Sequence, residues 1–134
     1  MNVIICLDDN KGMLFNYRRQ SRDKAVLSDI FCDLKDEKLF ITQFSEKLMA
    51  EYCDKVVACD DTATLEKGQW FFCENVDLTA FADKIEKLVV YKWNRVYPAD
   101  FNCYLDFSLF NLESESDFEG SSHPVITKQI FAKG

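Results

Sequence analysis

Two apolar runs decide the fold of this chain: Trp70-Phe71-Phe72-Cys73-Glu74-Asn75 and, after nine further residues, Ile85-Glu86-Lys87-Leu88-Val89-Val90-Tyr91. Both runs are short and rich in aromatic or β-branched residues, which is typical of buried strands. The residues between them, from Asp77 to Lys84, fit one short helix. The spacing therefore predicts a strand, a short helix and a second strand.

The chain before these runs alternates strand and helix patterns. An apolar strand at the first residues is followed by a helix that Ser21 or Asp23 would cap and that is predicted to reach about Lys35. The apolar residues of this helix share one face: Val26, Leu27, Ile30, Phe31 and Leu34. The next predicted elements are a strand over 38–42, a helix over 44–52 and a strand over 56–59. Such alternation favours right-handed crossovers and a largely parallel sheet.

The last third of the chain has a different period. Its extended segments, with few helical signals between them, cover 88–93, 101–107, 110–118 and 125–131. Successive strands of this kind favour antiparallel pairing. No repeat or linker divides the sequence. The pattern predicts a single α/β domain over 1–134, a three-layer α/β/α arrangement with a mixed, largely parallel central sheet and antiparallel C-terminal strands.

Composition and charge exclude several classes of protein. The 134 residues are 48% hydrophobic and include twelve Phe, enough for one core. The formal net charge of −7 would repel phosphates, so nucleic-acid binding is not expected. Asp8 and Asp9 end the first apolar run too early for a signal-peptide core or a membrane span. We therefore expect an acidic, compact, cytoplasmic protein that binds neither nucleic acid nor membranes.

Six cysteines are spread along the chain without a C-x-x-C pair: Cys6, Cys32, Cys53, Cys59, Cys73 and Cys103. Several lie inside apolar patterns, and thiols stay reduced in the cytosol. We expect reduced, buried side chains that take no part in catalysis or metal binding. Three disulfides are the alternative that an even count allows.

The order of elements resembles that of dihydrofolate reductase. Ile4 to Met13 resembles the family's first strand and turn, and Asp29-Ile30 resembles the acidic and aliphatic pair that opens its first long helix. The runs 70–75 and 85–91 stand where the family has a strand, a Gly-Gly pair, a short helix and another strand. The later segments that follow the family's order are Pro98 to Phe101, Leu105 to Phe107, Leu112 to Glu115 and Ile126 to Lys133. The resemblance covers most of the chain and implies the family's fold.

The opening run through Arg22 also resembles a small uncharacterised bacterial family, some of whose members carry the label ribonuclease Z. A metallo-nuclease of that type needs several His and Asp ligands around two metal ions. This chain has one histidine, His123. A bacterial source is implied by this resemblance, whereas two-metal chemistry and a metal site are not expected.

The residues that would hold the reductase cofactor differ from the family's. Its Gly-Gly pair lets the backbone approach a dinucleotide pyrophosphate at a helix N-terminus, and Glu74-Asn75 stands at that place here. Gln43-Phe44 replaces a Gly-Arg pair that serves the cofactor phosphate. The resemblance therefore implies no NADPH binding in the usual mode, so we expect no cofactor and no hydride transfer.

Asp29 is the catalytic candidate that the reductase resemblance implies. A carboxyl group in an apolar cleft could serve as a general acid or hold a pterin-like ring. Asp29 lies off the centre of the apolar stripe, however, with Asp33 four positions further on. The alternative is a solvated helix residue.

Arginine is concentrated in one loop of this acidic chain. Arg18, Arg19 and Arg22, with Lys24, predict a site for a phosphate or carboxylate ligand held by forked guanidinium contacts. The alternative is a solvated loop whose cations pair with nearby Asp residues. We expect a diverged, non-reducing domain that binds a small molecule or a protein. The alternative function is an enzyme for a small anionic or pterin-like substrate, with Asp29 as general acid or base.

Two further features have simple structural interpretations. Four acids alternate with other residues and would line one face of a sheet edge: Glu113, Glu115, Asp117 and Glu119. His123 lies in a Ser-Ser-His-Pro turn. A catalytic role for His123 requires a nucleophile or a carboxylate partner within reach.

Overall fold

Ten strands and one α-helix form the fold, and the structure, a computed structural model, describes residues 1–134. The strands are β1 (Asn2–Leu7), β2 (Gly12–Phe15), β3 (Arg18–Arg19), β4 (Leu39–Ile41), β5 (Val56–Ala58), β6 (Trp70–Cys73), β7 (Lys87–Lys92), β8 (Phe101–Asn102), β9 (Phe110–Phe118) and β10 (Ile126–Lys133). The α-helix is α1 (Lys24–Leu34). The 3-10 helices are Gln43–Ser45, Ala50–Tyr52, Thr62–Thr64, Leu78–Lys84 and Phe107–Leu109. None of these helices combines the length and the apolar character needed to cross a membrane.

The main sheet has seven strands in the order β5-β4-β6-β1-β7-β10-β9. The first five run parallel, and β10 pairs antiparallel with both of its neighbours, β7 and β9. Strand β1 lies between β6 and β7, with Val3 opposite Phe71 and Leu88. The predicted mixed sheet with antiparallel C-terminal strands is confirmed. The apolar runs 70–75 and 85–91 thus contain β6 and β7, the two neighbours of β1.

Alternate residues of the central strands face different layers. Ile4, Phe72 and Val89 pack with the apolar stripe of α1 in one core, which includes Val26 and Ile30. Val3, Ile5, Phe71 and Leu88 face a second core, which includes Leu78 from the 3-10 helix of 78–84. This period of two places every central strand between two apolar layers. Burial of each large side chain contributes roughly 1.5–3 kcal/mol.

Three sequence predictions differ from the structure in detail. The helix predicted over 44–52 is wrong in type, because the segment forms two 3-10 helices joined by turns. Its first turn is closed by bonds from the amides of Ser45 and Glu46 to carbonyl groups three residues earlier, at Thr42 and Gln43. The helix between β6 and β7 is present, but as the 3-10 type over Leu78–Lys84. The strand predicted over 101–107 is limited to β8.

The segment treated as a basic loop contains a β-hairpin. Asn16 and Tyr17, with φ angles of 53° and 61°, connect β2 to β3. Two consecutive left-handed residues are the signature of a type I′ turn, which suits the twist of a two-residue hairpin. Strand β2 also pairs with β8, so the hairpin is held in a second, three-stranded sheet. This support fixes where Arg18 and Arg19 lie.

The cysteines differ in burial, and Cys6 is half-buried. All six are free thiols, and Cys59, Cys73 and Cys103 are buried. Cys32 and Cys53 are exposed, which differs from the burial expected for the whole set. The difference follows from position, because Cys32 lies on the solvent side of α1 and Cys53 follows a 3-10 helix.

Candidate functional site

A narrow cleft opens where the carboxyl ends of β1, β6 and β7 meet the N-terminus of α1. Its walls come from the strand ends, the β2–β3 hairpin and the helix: Cys6, Arg19, Ser21, Val26, Glu74 and Trp93. Ligands of open α/β sheets bind at this edge, outside the carboxyl ends of parallel strands. The cavity in the cleft measures about 20 Å³, room for about one water molecule.

A wider outer groove adjoins the cleft and measures about 640 Å³. The two share part of their lining: Arg22, Asp23, Leu27 and Leu48. The remaining walls of the outer groove come from the start of α1, the 3-10 segment and the turn before β10: Lys24, Lys47, Ala50, Glu51, Tyr52, Ser121 and Ser122. A volume of several hundred Å³ is the usual size for a small-molecule site.

Glu74 lies at the end of β6 and closes one side of the cleft. Its carboxylate accepts two hydrogen bonds from Arg19, one from Nε at 2.7 Å and one from Nη2 at 2.9 Å. The Ser45 hydroxyl donates a third at 2.7 Å. The side chains of Arg19 and Glu74 are 24% and 10% exposed. Such a forked, partly buried pair is stronger than a surface ion pair.

Arg19, one of the predicted anion-binding residues, is therefore already paired with a carboxylate of the same chain. The hydrogen bond to Glu74 raises the pKa of its guanidinium, against the effect of burial. The guanidinium carbon also lies 5.0 Å from the ring centroid of Phe44. The carboxylate of Glu74 occupies the forked donor set that a ligand would need. Asn75, one residue further, is exposed and accepts a hydrogen bond from the Thr42 hydroxyl at 3.0 Å.

The other predicted cations take two different positions. Arg18 is exposed on β3 and does not line the cleft or the outer groove. Arg22 lines both, and Lys24 lines the outer groove. The structure adds Lys47 from the segment across the groove. The sequence carried no signal for Lys47, because its neighbours across the groove are distant in the chain.

Asp29 lies on α1 outside the residues that line the cleft and the outer groove. Its Oδ2 accepts a hydrogen bond from the Tyr91 hydroxyl at 2.6 Å and pairs with Lys128 Nζ at 2.7 Å. Lys128 also pairs with Asp33. Burial and the hydrogen bond to Asp29 raise the pKa of Tyr91 well above its ordinary range. Asp29 is thus held by Tyr91 and Lys128, and Lys128 pairs with both Asp29 and Asp33.

A buried polar cluster lies behind the cleft, around Asp23 and His123. The two side chains are 0% and 1% exposed, and Asp23 Oδ2 lies 2.9 Å from His123 Nδ1. Asp23 also accepts hydrogen bonds from the amides of Ala25, Ser121 and Ser122 and from the Ser121 hydroxyl. Burial alone would raise the pKa of Asp23, but the hydrogen bonds from Ser121, His123 and Ser122 lower it well below its usual range.

The other edge of His123 faces the cleft residues. Its Nε2 lies 2.9 Å from the Tyr97 hydroxyl and 3.1 Å from Ser21 Oγ. The imidazole stacks on Trp93, with ring centroids 4.7 Å apart and planes 21° apart. His123 thus has the carboxylate partner and the hydroxyl neighbour that its catalytic interpretation required. The sequence signals were only the helix cap at Asp23 and the lone histidine.

Comparisons with known proteins identify the architecture. No family model matches the sequence, and no curated protein matches it. Among solved structures, the fold is similar to "Dihydrofolate reductase from Enterococcus faecalis complexed with NADP(H)and RAB-propyl", with a TM-score of 0.71 and 7% sequence identity. The likeness covers 99% of this chain and 95% of that one. The chain has a dihydrofolate reductase-like fold. The predicted resemblance is confirmed at the level of fold.

Two buried residues shape the cleft side of this dihydrofolate reductase-like fold. Asp8, which follows β1, accepts hydrogen bonds from the amides of Gly12 and Tyr97 at 2.7 and 3.0 Å and from Gln20 Nε2 at 3.2 Å. A Cβ on Gly12 would lie 2.4 Å from Gln20 Nε2 and 2.7 Å from the Ala99 Cβ. Only glycine fits there, so Asp8 and Gly12 together hold the strand that leads to Ser21.

The dihydrofolate reductase-like fold brings no group of three or more His, Cys, Asp or Glu side chains into an arrangement that holds a metal ion. Of the cysteines in the cleft, burial raises the pKa of Cys6 and Cys73 far above the usual thiol range. Both thiols therefore stay protonated at neutral pH and are poor nucleophiles. Acid–base chemistry or hydrogen bonding in the cleft therefore depends on side chains with oxygen or nitrogen groups, such as Arg19, Ser21 and Glu74.

Proposed function

We propose that this chain is a diverged dihydrofolate reductase-like domain that binds a small anionic molecule in the outer groove and does not catalyse NADPH-dependent reduction. The observation that carries the proposal is the set of three cations around the groove, Arg22, Lys24 and Lys47, in a chain of net charge −7. None of the three takes part in an ion pair with a protein carboxylate. Glu51 is the one acid of the groove besides the buried Asp23.

The chemistry of the groove supports an anionic ligand of small size. Arg22, Lys24 and Lys47 line the groove together with the hydroxyl-bearing residues Ser121, Ser122 and Tyr52. Hydrogen bonds in which one partner is charged are roughly twice as strong as neutral ones. Leu27 and Leu48 add an apolar wall that would contact the uncharged part of the ligand. A small molecule that carries a phosphate or a free carboxylate group beside an apolar part suits this combination.

The absence of reductase activity is proposed from the end of β6. A dinucleotide pyrophosphate needs close approach to backbone amides, which a glycine pair permits. Glu74 instead carries a carboxylate there, fixed by Arg19 and Ser45. Entry of a pyrophosphate would require that this three-way contact break and that Glu74 turn away. The same three hydrogen bonds to Glu74 keep this side of the cleft closed.

Thermal unfolding tests the proposal. A ligand at a hundred times its Kd stabilises the folded state by roughly 2.7 kcal/mol. We expect inorganic phosphate, compared with chloride at equal ionic strength, to raise the Tm of the full chain, and nucleotides or folates that fit the groove to raise it further. Arg22→Gln and Lys47→Gln should remove the phosphate effect. Arg18→Gln is the matched control, because Arg18 is exposed but lies outside the groove.

Two outcomes would overturn the proposal. An equal phosphate effect in wild type, Arg22→Gln and Lys47→Gln would reject the groove as the binding site. A Tm increase with NADPH together with turnover of dihydrofolate would reject the non-reducing assignment. The alternative role of Asp29 as general acid or base stays a prediction, and Asp29→Asn tests it in the same assays: loss of turnover with unchanged phosphate binding would favour it.

A further inference from the structure

We infer that Ser21, His123 and Asp23 form a nucleophile, base and carboxylate arrangement that transfers the acyl group of short carboxylic esters to water. Ser21 Oγ lies 3.1 Å from His123 Nε2, and His123 Nδ1 lies 2.9 Å from Asp23 Oδ2. These are the two contacts through which a histidine activates a serine and is oriented by a carboxylate. The inference goes beyond anion binding and does not depend on it.

The hydrogen-bond network determines which imidazole nitrogen is the base. Asp23 accepts bonds from three amides and one hydroxyl on its two oxygens, so it is a carboxylate and acts as acceptor. Its contact with His123 therefore requires a proton on Nδ1. In neutral imidazole this leaves Nε2 with a lone pair, directed at Ser21 Oγ and the Tyr97 hydroxyl. Nε2 is the atom that can accept the Ser21 proton.

The cluster is shielded on the base side and open on the nucleophile side. His123 is almost completely buried and stacks on Trp93, whereas Ser21 is half-buried and lines the cleft. The amides of Ser21 and Arg22 donate to no acceptor within the protein, and the Arg22 side chain lines the same cleft. Acyl-transfer sites commonly use the amide of the residue after the nucleophile to stabilise the tetrahedral oxyanion, so we assign this role to the Arg22 amide. Val26 and Phe72 line the cleft beside Ser21. Because the cavity there holds about one water molecule, an ester reaches Ser21 only after the exposed Arg22 side chain, which lines both the cleft and the outer groove, moves aside.

The reaction follows from these positions. Ser21 Oγ forms a bond to the ester carbonyl carbon while its proton moves to His123 Nε2. The tetrahedral intermediate then breaks the bond to the alcohol oxygen, which takes the proton from Nε2 and leaves. Water attacks the acyl-serine and gives a proton to Nε2. The carboxylic acid leaves as the bond to Ser21 Oγ breaks, and Oγ recovers the proton from Nε2.

A covalent label and an ester assay test the inference on the full chain. We expect a fluorophosphonate probe to label the folded protein at one residue, Ser21, located by peptide mass spectrometry. We also expect hydrolysis of p-nitrophenyl acetate to fall at least about 100-fold in Ser21→Ala, the smallest contribution usual for general base catalysis of a nucleophile. Ser28→Ala is the matched control, because Ser28 is exposed on α1, its hydroxyl makes no hydrogen bond and it lies outside the cleft and the outer groove. This variant should keep the label and the rate.

His123→Gln is a second variant. Its circular dichroism is first compared with that of Ser21→Ala to show that both proteins are folded, and its ester hydrolysis is then measured. The inference is overturned if the folded wild type takes no label, if the label lies on another residue, or if Ser21→Ala hydrolyses the ester at the wild-type rate. Phosphate stabilisation of Ser21→Ala should equal that of wild type, since Ser21 lies outside the outer groove. Failure of the esterase reaction is therefore distinguishable from failure of anion binding.

Discussion

Asp23 and His123 stand one hundred residues apart in the sequence, yet Oδ2 of one and Nδ1 of the other are 2.9 Å apart in the interior. Asp23 caps α1, with its side chain accepting from the Ala25 amide, and the same carboxylate accepts both amides of the turn at Ser121 and Ser122. One buried carboxylate therefore joins the start of the helix to the segment that precedes β10. Gly120 permits this approach, because a Cβ there would lie 2.6 Å from Asp23 Oδ2.

Asp23→Asn should lower the free energy of unfolding by about 3 kcal/mol, because an amide cannot accept all the hydrogen bonds of the carboxylate and leaves buried donors unpaired. Urea unfolding at neutral pH measures the change. Asp60→Asn is the control: Asp60 is exposed and its side chain makes no hydrogen bond, so its effect should stay within about 0.5 kcal/mol. Equal stability of the two variants would contradict a structural role for Asp23.

Lowering the pH should remove the contribution of Asp23 to the free energy of unfolding. Its pKa is lowered in the folded state, so the stabilisation is complete above the unfolded value of about 3.9 and declines as the pH falls through that value toward the folded pKa. Unfolding in urea between about pH 6 and about pH 2 should show the difference between wild type and Asp23→Asn shrinking with acid. Hydrogen bonds also lower the pKa of Asp77, Glu86 and Asp106, but these groups affect both proteins equally.

Arg19 and Glu74 should show strong energetic coupling. A double-mutant cycle with Arg19→Gln and Glu74→Gln is expected to give a coupling free energy of about 2 kcal/mol, because each single change leaves a partly buried charge without its partner. Urea unfolding of the four proteins measures it. The matched cycle pairs Arg18→Gln with Glu74→Gln and should give a value near zero, since Arg18 makes no contact with Glu74. A coupling of equal size in both cycles would refute the specific contact.

The cysteines should differ in their rates of alkylation. Cys32 and Cys53 are exposed and should react first with iodoacetamide, whereas burial raises the pKa of Cys6, Cys73 and Cys103 and keeps these thiols protonated. Peptide mass spectrometry over a time course assigns the order. In guanidinium chloride all six thiols should react at similar rates. Modification of Cys73 as rapid as that of Cys32 in the native protein would contradict the burial.

Local patterns were sufficient for most of the fold. The apolar stripe of α1 and the period-two alternation around Phe71 and Val89 depend on neighbours within a few residues, and those neighbours are present in the sequence itself. The segment 44–52 was mistaken for an α-helix because Phe44, Leu48 and Met49 are spaced as on a helix face. In the structure Met49 packs in the same core as α1 and β4, and such contacts with residues distant in the chain are not visible in the local sequence.

The sequence by itself determined the acidic character of the chain, its α/β class and its antiparallel C-terminal strands, because composition and periodicity are properties of short windows. Only the tertiary structure decided that Glu74 binds Arg19 across 55 residues and that Asp23, Ser21 and His123 meet in one cluster. Contacts of this length depend on the strand crossovers that carry the chain from one end of the sheet to the other. Hydrogen bonds have a range of about 3 Å, so no local pattern records which distant partners will come within it.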